Sequence, residues 1–181
     1  MESQHGTYAL VLAAWTDTQL QVGKLGRLHV ASGLYVYVGS AFGPGGVRAR
    51  VAHHQRRAVR PHWHIDYLRT VTQLLAVCYT YDAQRREHQW AEAMLQMRGA
   101  SIPLARFGAS DCACATHLVF FRGCPSWLTW QRTLRRLGRP HMSFSWPQRA
   151  PQAGRPSNQQ QPSATEGLGK APKHADGYMD D

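Results

Sequence analysis

The sequence predicts an α+β domain: a small mixed, mainly antiparallel sheet flanked by helices, followed by a disordered tail. Three observations predict it. Short apolar runs of strand length, rich in Tyr, Val and Leu, recur at residues 7–14, 34–39, 73–81 and 117–121. Segments with helical spacing of apolar positions lie between and after them. From about Gly138 onward Pro, Gln, Ser, Gly and Ala dominate, with almost no aliphatic residue after Trp146. Such a stretch cannot bury enough surface to fold. The expected division is a domain at residues 1–137 and a Pro/Gln/Ser-rich tail at 138–181.

Each element has a local reason. Thr7–Ala14 (TYALVLAA) is continuously apolar, as a buried strand is. Residues 15–33 are cut by Gly23, Gly26 and Gly33 into short alternating pieces, enough for one or two small extra strands. Leu34–Gly39 alternates Tyr35, Tyr37 and Gly39 on one face with Val36 and Val38 on the other. Gly43-Pro-Gly-Gly46 is a turn that opens a helix over about 47–59. Pro61 bars a continuous helix, so a short one starts near His64. After the strand at 73–81, Asp82 is expected to cap a helix over about 83–97, with Trp90, Ala93, Met94 and Met97 inward. Residues 100–115 read as a loop, 117–121 as a last short strand, and 125–137 as a terminal amphipathic helix.

Charge narrows the function. The net charge of +10 is uneven: residues 1–137 hold 16 Lys+Arg against 7 Asp+Glu, while residues 138–181 hold 5 against 4. Arg48, Arg50, Arg56, Arg57 and Arg60 fall within thirteen residues, and Arg132, Arg135 and Arg136 form a second cluster. A basic patch of this kind favours a polyanion, with nucleic acid the first candidate and Arg48, Arg56, Arg57 and Arg60 the expected phosphate contacts. The plain alternative is a solvated basic face. No apolar run reaches the roughly 18 residues that a membrane span needs. The first residues carry no basic-then-apolar leader, so the expectation is a cytoplasmic protein without a membrane partner. Four cysteines without such a leader do not suggest a disulfide framework. Protein partners cannot be read from the sequence.

Arg50 and His54 stand four residues apart on the expected first helix, one turn apart on one face. A phenol, a guanidinium and an imidazole can therefore meet over the sheet. That set suits phosphodiester chemistry: a group to orient or deprotonate water, a fixed cation for the transition-state charge, and a proton relay. The residues alone leave other readings open. Tyr8 and Tyr37 are also ordinary strand residues. Glu87, next to Arg85 and Arg86, also reads as a solvated carboxylate.

Gly6-Thr-Tyr8 and Tyr37-Val-Gly39, with Arg50, His54 and Glu87 following in order, resemble the signature residues of the GIY-YIG nuclease superfamily. His62-Trp-His-Ile-Asp-Tyr-Leu68 and the stretch from Phe107 to His117 are similar to its stand-alone Uri-type endonuclease branch. The resemblance covers roughly residues 5–121. It implies a metal-dependent endonuclease that hydrolyses DNA, with Tyr8, Tyr37, Arg50 and His54 catalytic. One tyrosine would orient or deprotonate water and the other position the phosphate. Glu87 would hold a single Mg²⁺ or Mn²⁺, an ion that needs only one or two carboxylates besides phosphate. The chain departs from compact members by the insertion at residues 15–33 and by a stretched turn between Gly39 and Arg50. The alternative function is a catalytically inactive nucleic-acid-binding module on the same scaffold.

His62, His64, Asp66, Asp111, Cys112, Cys114 and His117 form a further polar set. The Cys-x-Cys-x₂-His spacing is tighter than ordinary zinc spacing. The favoured reading is a hydrogen-bonded network with the cysteines as small apolar fillers, and structural Zn²⁺ is the alternative.

Overall fold

In chain order the elements are β1 (Thr7–Ala14), β2 (Thr18–Val22), β3 (Gly26–Val30), β4 (Gly33–Ser40), α1 (Gly46–Gln55), α2 (His64–Val71), β5 (Gln73–Tyr79), α3 (Glu87–Leu95), β6 (Ala100–Ser101), β7 (Leu118–Phe121), α4 (Trp127–Arg136) and β8 (His141–Phe144). This computed structural model describes residues 1–137 and 141–144. Residues 141–144, placed by the sequence reading in the tail, form β8 along β5. The rest of that segment, 138–140 and 145–181, lies outside the described residues. Among the described residues no helix is long and apolar enough to cross a membrane.

The fold is α+β, as expected. One sheet has the strand order β6-β7-β4-β1-β5-β8, and every described pairing is antiparallel rather than mixed. β1 sits between β4 and β5 and is buried along its whole length. Its two faces feed two cores. Ala9, Val11 and Ala13 join Val36, Val38, Trp90, Met94, Trp130 and Leu134 under α3 and α4. Tyr8, Leu10 and Leu12 join Tyr35, Val47, Val51, Ile65 and Leu68 under α1 and α2. A strand covered by helices on both faces has no solvent side, so its sequence shows no alternation. The insertion forms the β2–β3 hairpin, which packs Val22, Leu28 and Val30 into the second core.

Two helices differ from the sequence expectation. α1 stops at Gln55 instead of about 59, and Arg56 turns to an extended φ of −89° and ψ of 151°. The His54 carbonyl, which another helical turn would use, instead accepts from Arg69 Nε at 3.1 Å. α3 starts at Glu87, not at residue 83, and Asp82 does not cap it. The Asp82 carboxylate accepts from the Gln84 backbone N–H at 2.9 Å and pairs with Arg86, while the Arg86 N–H donates to Thr7 Oγ1 at 3.0 Å. These bonds hold residues 82–86 in a turn tied to β1.

Candidate active site

The strand register builds the site first. Tyr8 lies opposite Gly39, and Leu10 opposite Tyr37. The two tyrosines are therefore diagonal neighbours on one sheet face, with ring centroids 6.4 Å apart. Gly39 makes room for the first: a Cβ there would lie 2.5 Å from Tyr8 Oη. Gly108, at φ +72°, makes room for the second, since a Cβ there would lie 2.8 Å from Tyr37 Cε2.

α1 crosses this face. Val47, Val51 and His54 are buried along one side of it, at i, i+4 and i+7. His54 Nε2 shares a hydrogen bond of 2.8 Å with Tyr8 Oη, and His54 Nδ1 has no partner among the described residues. Burial, followed by the neighbouring His53, pushes His54 down to about 3. Burial also raises Tyr8 well above the ordinary phenol value and Tyr37 to about 12; in both, Arg50 pulls the other way. At neutral pH the resting trio is two phenols and an uncharged imidazole.

Arg50 comes off the same helix, one turn before His54. Its guanidinium stacks over the Trp63 ring at 4.4 Å, and no carboxylate pairs with it among the described residues. The charge is positioned but not neutralised. Glu87, at the first position of α3, is 6 % exposed. Its Oε1 lies 3.8 Å from both Arg85 Nη1 and His88 Nε2, and its Oε2 is buried without a partner among the described residues. A buried carboxylate oxygen with no donor fits a hard divalent cation, so the residues fit Mg²⁺ or Mn²⁺ at Glu87.

Tyr8, Tyr37, Arg50, His54 and Glu87 all line one cleft of ≈ 560 Å³. The structure thus brings together from β1, β4, α1 and α3 the five residues singled out for chemistry. Arg48, Arg56, Arg57 and Arg60 are not in the cleft; they are exposed on and just beyond α1. Arg56 and Arg57 flank a shallow depression beside His53. His53, next to His54 on α1, is partly exposed and reaches across to Asp66. One of its ring nitrogens lies 3.0 Å from Asp66 Oδ1.

The remaining polar set splits in two. Asp66 works at the start of α2, where its Oδ2 accepts from the backbone N–H groups of His62 and Trp63 at 3.0 Å each. Burial pushes its carboxyl up, but these two donors and His53 outweigh that and hold it below the usual range. His64 Nδ1 accepts from the Gly108 N–H at 3.0 Å. His62 and Asp111 are exposed at the cleft rim. Cys112, Cys114 and His117 instead meet His88, which sequence reasoning omits. Neither cysteine is fully buried, so neither is a core filler; that role falls to Cys78 at 0 % exposure.

Two more cleft residues escape the sequence reading. Trp63 is the platform for Arg50. Arg85 adds a second guanidinium, 3.3 Å from Ser40 Oγ and stacked over Phe42 at 4.7 Å. The doublet Arg85-Arg86 was the available signal, but only folding separates them. Arg86 pairs with Asp82, and Arg85 turns into the cleft.

The sequence model of a family described as "Domain of unknown function DUF123" matches residues 7–137. No curated protein and no solved structure matches the chain. The family match runs from the first residue of β1 past the end of α4 and includes every side chain of the cleft, so the chain belongs to the DUF123 family.

Proposed function

We propose that the chain is a metal-dependent endonuclease that hydrolyses DNA phosphodiesters. The observation that carries this reading is the convergence of Tyr8, Tyr37, Arg50, His54 and Glu87 on one polar cleft. The likeness of their order to the GIY-YIG nucleases, including the Uri-type branch, supports it. Arg50 and Arg85 would grip the phosphate, Arg50 being held in place by Trp63. Tyr8 would orient the attacking water, its own hydroxyl fixed by the 2.8 Å hydrogen bond it shares with His54. Arg50 favours negative charge on both phenols, opposing the effect of burial. Tyr37 would hold a phosphate oxygen. Glu87 would hold Mg²⁺ or Mn²⁺, and the bound ion would supply Lewis-acid stabilisation of the phosphate.

The exposed arginines Arg48, Arg56, Arg57 and Arg60 would track the DNA backbone beside the cleft, as sequence-independent phosphate contacts do. The setting we propose is the cytoplasm, with no membrane partner. An inactive DNA-binding module on this scaffold is the second reading, but binding phosphates gives no reason to bury a carboxylate oxygen at Glu87 that has no partner among the described residues.

The test is incubation of the purified chain with supercoiled, linear, branched and single-stranded DNA in Mg²⁺, Mn²⁺ or EDTA. Cleavage of at least one form in a divalent metal, abolished by EDTA, is expected. If every form survives in both metals while DNA still binds, the inactive module replaces the enzyme.

A further inference from the structure

Beside the cleft lies a second cluster that the nuclease reading does not use. We propose that His88, Cys112, Cys114 and His117 form a closed four-coordinate site for a zinc-class divalent ion, distinct from the ion at Glu87. The inference does not rest on the nuclease reading.

Four donor atoms, one from each residue, lie within 4.8 Å of one another. His88 Nδ1 is 3.1 Å from Cys114 Sγ, and Cys112 Sγ is 3.5 Å from His117 Nε2. Tetrahedral bonds of zinc to sulfur and nitrogen put neighbouring ligands about 3.3–3.8 Å apart. Two edges of the cluster therefore already have nearly the right length, and the widest separation needs to close by only about 1 Å. Two thiolates and two imidazoles are the donors that select zinc over magnesium. The two thiolates would also balance the ion's double charge without another carboxylate. With all four positions filled by protein, the site is structural rather than catalytic.

The backbone explains how so tight a Cys-x-Cys spacing can serve. The loop from Arg106 to His117 is closed on itself: the Arg106 N–H donates to the Ala115 carbonyl at 2.6 Å, and the His117 N–H to the Phe107 carbonyl at 2.8 Å. Arg106 Nη1 donates to the Cys114 carbonyl at 2.9 Å. Residues 110–113 turn within that closed loop, so both sulfurs reach the same point. His88 arrives separately from the first turn of α3. A shared ion would tie this loop to α3. It would thereby fix both Gly108, which abuts Tyr37, and Glu87, whose Oε1 lies 3.8 Å from the other ring nitrogen of His88.

The experiment measures metal content and cobalt spectra of the full chain. Purified protein loaded with Zn²⁺ and desalted should keep one ion per chain. Loaded with Co²⁺, it should show a thiolate-to-cobalt charge-transfer band and the intense visible absorption of a tetrahedral centre. Cys112→Ser with Cys114→Ser should lose the charge-transfer band and the retained Zn²⁺. Cys124→Ser, at an exposed cysteine outside the cluster, should keep both. His88→Asn, at a partly exposed side chain, should keep a thiolate band but weaken Zn²⁺ affinity tenfold or more. Wild-type protein with no thiolate band in saturating Co²⁺ would overturn the proposal, even if the double variant fails to fold. So would a double variant that retains as much Zn²⁺ as wild type, or a loss of the band in Cys124→Ser.

Discussion

Gly39→Ala adds one methyl group at the point where β4 faces Tyr8. Ordinary contact for a Cβ begins at 3.4 Å and the new atom would stand 2.5 Å from Tyr8 Oη, so the oxygen must withdraw by about 0.9 Å. Cζ at 2.6 Å and Cε1 at 3.1 Å must move with it. The ring is tightly held, because Tyr8 is 2 % exposed and its Oη is tied to His54 Nε2 at 2.8 Å. Overpacking of this kind destabilises by about 1–3 kcal/mol. A displacement of about 1 Å at a reacting group costs on the order of 100-fold in rate. Denaturant unfolding and DNA cleavage, run on the same preparation, check both. Wild-type stability would mean that Tyr8 does not occupy the space over Gly39. Reduced stability with unchanged cleavage would remove Tyr8 from the chemistry.

Arg50→Lys keeps the charge but loses the planar fork and most of the stacking on Trp63, so cleavage should fall on the order of 100-fold; equal turnover would reduce Arg50 to a surface charge. His54 sets a pH dependence: its folded value near 3 lies below the unfolded value near 6.5, so the unfolded chain takes up the proton first. Its contribution to stability is complete above about pH 6.5 and falls by about 1 kcal/mol per pH unit toward pH 3, and His54→Gln should flatten the stability curve over that window. Parallel wild-type and variant curves between pH 7 and pH 4 would refute the buried, neutral histidine. Replacing Arg56 and Arg57 together should flatten the log-affinity against log-salt slope for DNA by about two and weaken all sequences alike. An unchanged slope would move the DNA face away from the end of α1.

Most of the fold was legible where one residue class met one environment. Thr7–Ala14 reads as a buried strand because helices cover both of its faces. Tyr8, Tyr37, Arg50 and His54 could be grouped because strand alternation and helical spacing are local rules. Errors arose where a distant group changed a local choice. Arg69 takes the His54 carbonyl and ends α1 early. Asp82 and Thr7 together delay the start of α3, although Asp82 looks like a cap in isolation. The Cys/His set was misgrouped for the same reason: linear spacing joins Cys112, Cys114 and His117 but says nothing of His88, which arrives from another element.

Glu87→Ala tests the central claim most directly, with cleavage rate and DNA affinity measured on one substrate in Mg²⁺. Glu87 lines the cleft, its Oε2 is buried without a partner among the described residues, and a carboxylate repels phosphate unless a cation lies between them. The account predicts that cleavage drops on the order of 100-fold or more while affinity stays within a few-fold of wild type or rises slightly. A variant that cuts as fast as wild type would contradict it, because the carboxylate would then hold no ion that the reaction needs.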